Sequence, residues 1–230
     1  MRRLQSVGLV TVVALVATGC SSNSNDPYQP SPAWSGKKAS LPAVPSLPST
    51  PIQSGDAYTV YGSGHHLRSL VHNRDVTEKD ISIVGYIVET NIAKAPACAV
   101  HKTGKADPKD CEAPLPLFVI SDVKGETKGP RIQVVGWAGN FANIYDAMEE
   151  YKKAKPGEKP KEMYKDQTLG ADVPYPLPAV GAKVKITGSY GFAKSIGSGG
   201  TVADPVYGVL AYKSMETLEP APEPAAFAKK

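Results

Sequence analysis

The chain is short of reactive side chains. Its 230 residues hold four histidines (His65, His66, His72, His101) and three cysteines, and beyond position 19 only three arginines, Arg68, Arg74 and Arg131. If His65 and His72 share a helix they face one way, yet they lie about 10 Å apart along its axis, too far to hold one metal ion. No carboxylate pair stands beside a candidate base, and the G-x-S-x-G, Walker and G-x-G-x-x-G signatures are missing. Gly197-Ser198-Gly199-Gly200 precedes no helix and reads as a hairpin turn. An enzyme is therefore not expected, and no catalytic residue, cofactor or metal site is assigned. A formal net charge of +4 gives no basic stripe for nucleic acid. Apart from one short run at the N-terminus, no apolar stretch approaches membrane-spanning length.

That run is the most informative feature present. Arg2 and Arg3 precede an apolar segment from Val7 to Val16, and Ala17-Thr18-Gly19 leads directly to Cys20. Basic, apolar and small-residue regions in that order make residues 1–19 a secretory signal. The ending resembles the lipobox of bacterial lipoproteins. The resemblance implies that Cys20 is acylated, palmitate among its chains, and becomes the mature N-terminus, with the membrane as a partner through that lipid. Ser21, where an inner-membrane retention signal would be Asp, favours the outer membrane of the cell envelope. Loss of Arg2 and Arg3 leaves 24 basic against 22 acidic residues, a net +2.

Residues 20–57 read as a tether. Seven prolines fall between 21 and 57, and Pro42, Pro45, Pro48 and Pro51 recur every third residue, the period of polyproline II. Trp34 is an isolated large ring there. The other two cysteines, Cys98 and Cys111, flank a turn-rich, charged loop, and in an exported chain they most simply form a disulfide. A zinc site from Cys98, His101 and Cys111 has three ligands where four are wanted.

From 58 to 219 the composition suits one folded domain, and 220–230, rich in Pro and Ala, is expected to be disordered. A short helix is read from His65 to Asn73, with Leu67, Leu70 and Val71 inward. Strands are read at Ile81–Val88, Leu117–Ser121, Arg131–Trp137, the alternating run about Val184–Tyr190, and Val206–Tyr212. Phe141, Ile144, Tyr145, Met148 and Tyr151 follow helical spacing, so a helix over 141–154 is expected, capped by Asn140 and ended by Pro156-Gly157. Three strands repeat a β-branched residue, any residue, then glycine, at Gly85, Gly136 and Gly188, which suits a sharply coiled small barrel.

Three strands, a helix and two strands resemble the OB-fold, a five-stranded Greek-key barrel with one helix between strands three and four. A mainly β, OB-fold-like domain is thus expected, with a β-sandwich as the alternative. The resemblance implies a binding groove over strands two and three. Arg131, Gln133, Val135 and Trp137 would point outward opposite Ile132 and Val134. Phe118 with Trp137 would form a stacking platform, walled by His101, Lys102 and Lys105. The alternative is that Phe118 is core and Trp137 closes the barrel end. Two functions are expected from these readings. One is a non-enzymatic envelope lipoprotein that contacts another envelope protein; the other is binding of a small molecule, glycan or peptide in the groove.

Overall fold

The computed structural model describes residues 50–100, 109–154, 158–196 and 200–228. Cys20, Trp34, the leader and most of the tether lie outside them, as do His101, Lys102, Lys105, Pro156-Gly157 and residues 197–199. All described residues belong to the second of two compact units, Leu47–Lys230. The fold is mainly β. Among the described residues the strands are β1 (Gln53–Ser54), β2 (Ala57–Thr59), β3 (Asp80–Thr90), β4 (Leu117–Ser121), β5 (Ile132–Val135), β6 (Lys183–Gly191), β7 (Ala193–Ser195), β8 (Thr201–Ala203) and β9 (Val209–Glu219). The α-helices among the described residues are α1 (Val60–His66), α2 (Leu70–Val76) and α3 (Phe141–Tyr151).

Seven strands form one mixed sheet, ordered β1-β2-β3-β4-β5-β9-β6, in which β6 also pairs with β3. The pairings therefore run β3, β4, β5, β9, β6 and return to β3. All are antiparallel except β5 with β9, which align in parallel from Gln133 opposite Val209 to Val135 opposite Ala211. A parallel neighbour needs a long crossover, and here it contains α3 and β6. Gln53, Ser54 and Ala57, expected in the tether, belong to this sheet instead.

Period-2 patterning decides what faces in. Along β6, Val184, Ile186 and Tyr190 are buried between half-exposed neighbours, as the alternation predicts. Ile83, Ile87, Phe118, Ile120, Ile132, Val134 and Leu210 share that core, each fully buried. Burial of one such side chain contributes roughly 1.5–3 kcal/mol before conformational entropy is subtracted. Two of the repeated glycines, Gly85 and Gly188, sit where backbones crowd. A Cβ on Gly85 would lie 3.0 Å from the Ser121 carbonyl oxygen, and Gly188 marks a register slip between β6 and β9.

Where helix 65–73 was expected, two helices stand. α1 begins earlier because its free amides are claimed: Thr59 accepts from Gly62 N–H at 2.8 Å, and Asp122 accepts from Val60 and Tyr61 N–H at 2.8 and 2.6 Å. Ser69, with φ −66° and ψ 131°, separates α1 from α2. Leu67 is inward, but Leu70 and Val71 are 83% and 70% exposed because this break rotates them away. Burial raises the pKa of the Asp122 carboxyl against the two amides that lower it. A folded pKa above the unfolded one means the stability contribution is full below the ordinary value of 3.8 and fades as pH rises through the folded value. Across that window the wild type is expected to lose stability relative to Asp122→Asn. Urea midpoints of both proteins on either side of it test this, and an unchanging difference would refute the assignment.

α3 matches its periodicity. Asn140 accepts from Asn143 N–H at 2.8 Å, and Phe141, Ile144, Ala147 and Tyr151 are buried. The last strand begins three residues later than read, because Asp204 accepts from Val206 and Tyr207 N–H and Gly208 turns with φ +86°. Strands β7 and β8, three residues each and paired antiparallel, were not read from the sequence; they stand on either side of the hairpin turn expected at 197–200. Cys98 and Cys111 are joined by a disulfide, Cα atoms 5.8 Å apart, closing the loop between β3 and β4. The 220–230 tail was expected to be disordered. Instead Ala221, Ala225 and Phe227 pack on the core, because an apolar groove offers them partners.

Candidate functional site

An apolar concavity lies beside α3. Tyr145, Met148 and Tyr151 of α3 form one wall, and Tyr175, Leu177 and their neighbours form a second. The floor comes from Ile87, Val184 and Met215, and the tail from Pro220 to Phe227 makes the remaining side. The volume is about 790 Å³, within the usual range for ligand clefts.

Helical spacing accounts for the first wall: Tyr145, Met148 and Lys152 sit one turn apart at the margin of the buried stripe. Tyr151 ties the walls together. Its hydroxyl donates to the Val173 carbonyl at 2.5 Å and accepts from Tyr164 N–H at 3.3 Å. Burial pushes its pKa up to about 12, so it remains a neutral donor. The Tyr175 ring meets it edge-on, centroids 5.1 Å apart at 77°, and the Tyr175 hydroxyl donates to the Glu158 carbonyl at 3.1 Å. The peptide bond between Tyr175 and Pro176 is cis.

The segment that carries the second wall is fixed from beneath. Asp166, 1% exposed, accepts from Gly139 N–H at 2.7 Å, Thr168 N–H at 2.7 Å and Leu169 N–H at 2.8 Å. Thr168 in turn accepts from Asn143 of α3 at 3.1 Å. Tyr164 donates to Asp146 at 3.3 Å; burial raises the pKa of both, Tyr164 to about 12. The groove carries few charges, and of these Glu149 pairs with Lys152 at 2.6 Å. Such a lining suits an apolar or aromatic guest held by shape. Their spacing in the sequence places Tyr145, Met148 and Tyr151 on one face of a helix. That their outer margin borders a cavity depends on chain far away, Tyr175–Ala179 and 220–227, and no local pattern reports it.

The residues expected to bind ligand divide into two pairs. Arg131 and Gln133 do face outward, into a smaller cleft of about 380 Å³ shared with Leu117, Val119, Asp204 and Tyr207. Phe118 and Trp137 are not there. They are 0% and 1% exposed and meet edge-on inside the core, centroids 6.0 Å apart. The stacking platform is therefore not formed: Phe118 is core, as the alternative had it, and Trp137 is buried beside it in the same core. Phe118 shares the inward face of β4 with Ile120. Trp137 escaped the alternation because β5 stops at Val135 and Gly136, φ +78°, turns the chain before it. Trp137 Nε1 has no hydrogen-bond partner among the described residues. Val135 does point outward, but it is covered by Ile196 at the end of β7. His66 and His72, rather than His65 and His72, approach each other, stacked at 3.8 Å. Among the described residues no group of three or more His, Cys, Asp or Glu could hold a metal ion.

No protein-family model matches this chain, and no curated protein matches it either.

Proposed function

We propose that this chain is a lipid-anchored, non-enzymatic protein of the cell envelope whose folded domain is an OB-fold-like interaction module. The observation that carries the interaction role is the apolar groove beside α3, concave, rich in tyrosine and nearly free of charge. The five-strand ring with α3 between β5 and β6 supports the OB-like reading. The Cys98–Cys111 disulfide supports an oxidising compartment, in keeping with the leader and Cys20. Outer-membrane placement rests on Ser21. In the alternative, a glycan, peptide or small molecule occupies the cleft at Arg131 and Gln133, without the aromatic platform that would have given it stacking energy.

Two experiments test this reading. Radiolabelled palmitate is expected to enter the wild type and not Cys20→Ala, and the variant is expected to leave the membrane fraction. A photo-crosslinking residue at Met148 is expected to capture one defined envelope protein in intact cells, while one at Val123, exposed elsewhere, does not. The same abundant proteins captured from both positions would refute the interaction role.

A further inference from the structure

The groove is already partly occupied, by the chain itself. β9 ends at Glu219, which is held by Lys183 at 3.3 Å, and the sequence continues Pro-Ala-Pro-Glu-Pro-Ala-Ala-Phe. Among the described residues no hydrogen bond or ion pair holds 220–228. Contact comes from Ala221, Ala225 and Phe227, which are half-buried, with Phe227 6.2 Å from the Tyr145 ring. Pro222, Glu223 and Pro224 are exposed, although the Pro222 ring lies over Gly181. Proline fixes φ and removes an N–H, so a segment of this composition stays extended and associates by shape with aromatic-lined surfaces. Two of the three anchors are alanines, and about 790 Å³ remains open with the segment in place. The resident thus touches the groove without filling it.

We propose that the groove is a receptor for an extended, proline-rich segment of a partner protein, and that Pro220–Phe227 is a displaceable cover occupying it in the partner's absence. The inference rests on the groove being the interaction site and adds the chemistry of what enters. A guest with the same backbone and larger side chains at the places of Ala221 and Ala225 fills space that the resident leaves empty. Held by apolar contact alone, the resident yields to it.

The test uses the detergent-purified full-length protein and a fluorescent nine-residue peptide of the Pro220–Ala228 sequence. Phe227→Ala removes the largest anchor of the cover, so the peptide is expected to bind this variant at least tenfold tighter than the wild type. Met148→Arg in the Phe227→Ala background is expected to abolish that binding. A peptide with its three prolines replaced by alanine is expected to bind at least tenfold more weakly. Equal affinity of wild type and Phe227→Ala would overturn the cover, and equal affinity for the proline-free peptide would overturn the chemistry. Loss of cooperative unfolding in Phe227→Ala would show that the tail is core and overturn the proposal as well. A Met148 crosslink in cells to a partner without a proline-rich segment would sink this inference and leave the interaction role standing. Peptide binding without any defined partner in cells would refute the interaction role, and this inference with it.

Discussion

Gly188→Ala is expected to lower the unfolding free energy by about 4 kcal/mol, read as a shift of the urea midpoint. A Cβ at this position would lie 2.0 Å from the Ala211 carbonyl oxygen and 2.9 Å from its carbon. Both are backbone atoms, so no rotamer change relieves the overlap. The crowding has a geometric origin. Thr187 pairs with Ser214, whereas Gly188 pairs with Tyr212, so Lys213 is an extra residue on β9 and bulges toward β6. Gly188 also faces Ile81 of β3, which leaves no room to shift the other way. Gly125→Ala separates overlap from conformational strain. Gly125 has φ +75° and nothing within 4 Å of its would-be Cβ, so only the left-handed backbone penalises the methyl, by about 1 kcal/mol. Equal midpoints for the two variants would show that β6 and β9 do not meet through this bulge.

Asp166→Ala is expected to cost about 3 kcal/mol, since three backbone N–H groups lose their acceptor. Asp166→Asn retains one acceptor oxygen for Thr168 and Leu169 but turns an amide N–H toward Gly139, and about half the loss is expected. The consequence is not confined to stability. Thr168 holds Asn143 in the first turn of α3, so freeing residues 166–169 loosens the helix that carries Tyr145 and Met148. In the peptide assay Asp166→Asn is accordingly expected to weaken binding in the Phe227→Ala background. An Asp166→Ala protein with the wild-type midpoint would show that solvent replaces the carboxylate without loss.

The strand and helix cores were legible in the chain wherever one period ran unbroken. The Lys183–Gly191 alternation and the Phe141–Tyr151 stripe needed nothing beyond their own spacing. Failures fall at single residues that interrupt a period. Gly136 sends Trp137 inward when continued alternation would send it out, and Ser69 parts two helices where the apolar positions suggested one. The end of β9 was missed for another reason. Lys213 to Glu219 is polar enough to read as loop, yet it finds partners along β6 while remaining largely exposed. The candidate groove was the least legible part, because its sides come from α3, the 175–179 segment and the tail, brought together only by tertiary structure. Arg131 and Gln133 flank Ile132 ahead of the interruption at Gly136, and both border the smaller cleft, as unbroken alternation would have them.

The parallel alignment of β5 with β9 sets an order of events during synthesis. Chain up to residue 208 can pair β3 with β4, β4 with β5 and β3 with β6, but β5 and β6 each keep one open edge until β9 emerges. Both edges carry exposed ladder groups that would template pairing with a neighbouring chain. A frameshift or premature stop shortly before Val209 would therefore yield sticky two-edged intermediates rather than a slightly shortened protein, and nascent chains would depend on holdase protection until their final stretch is delivered.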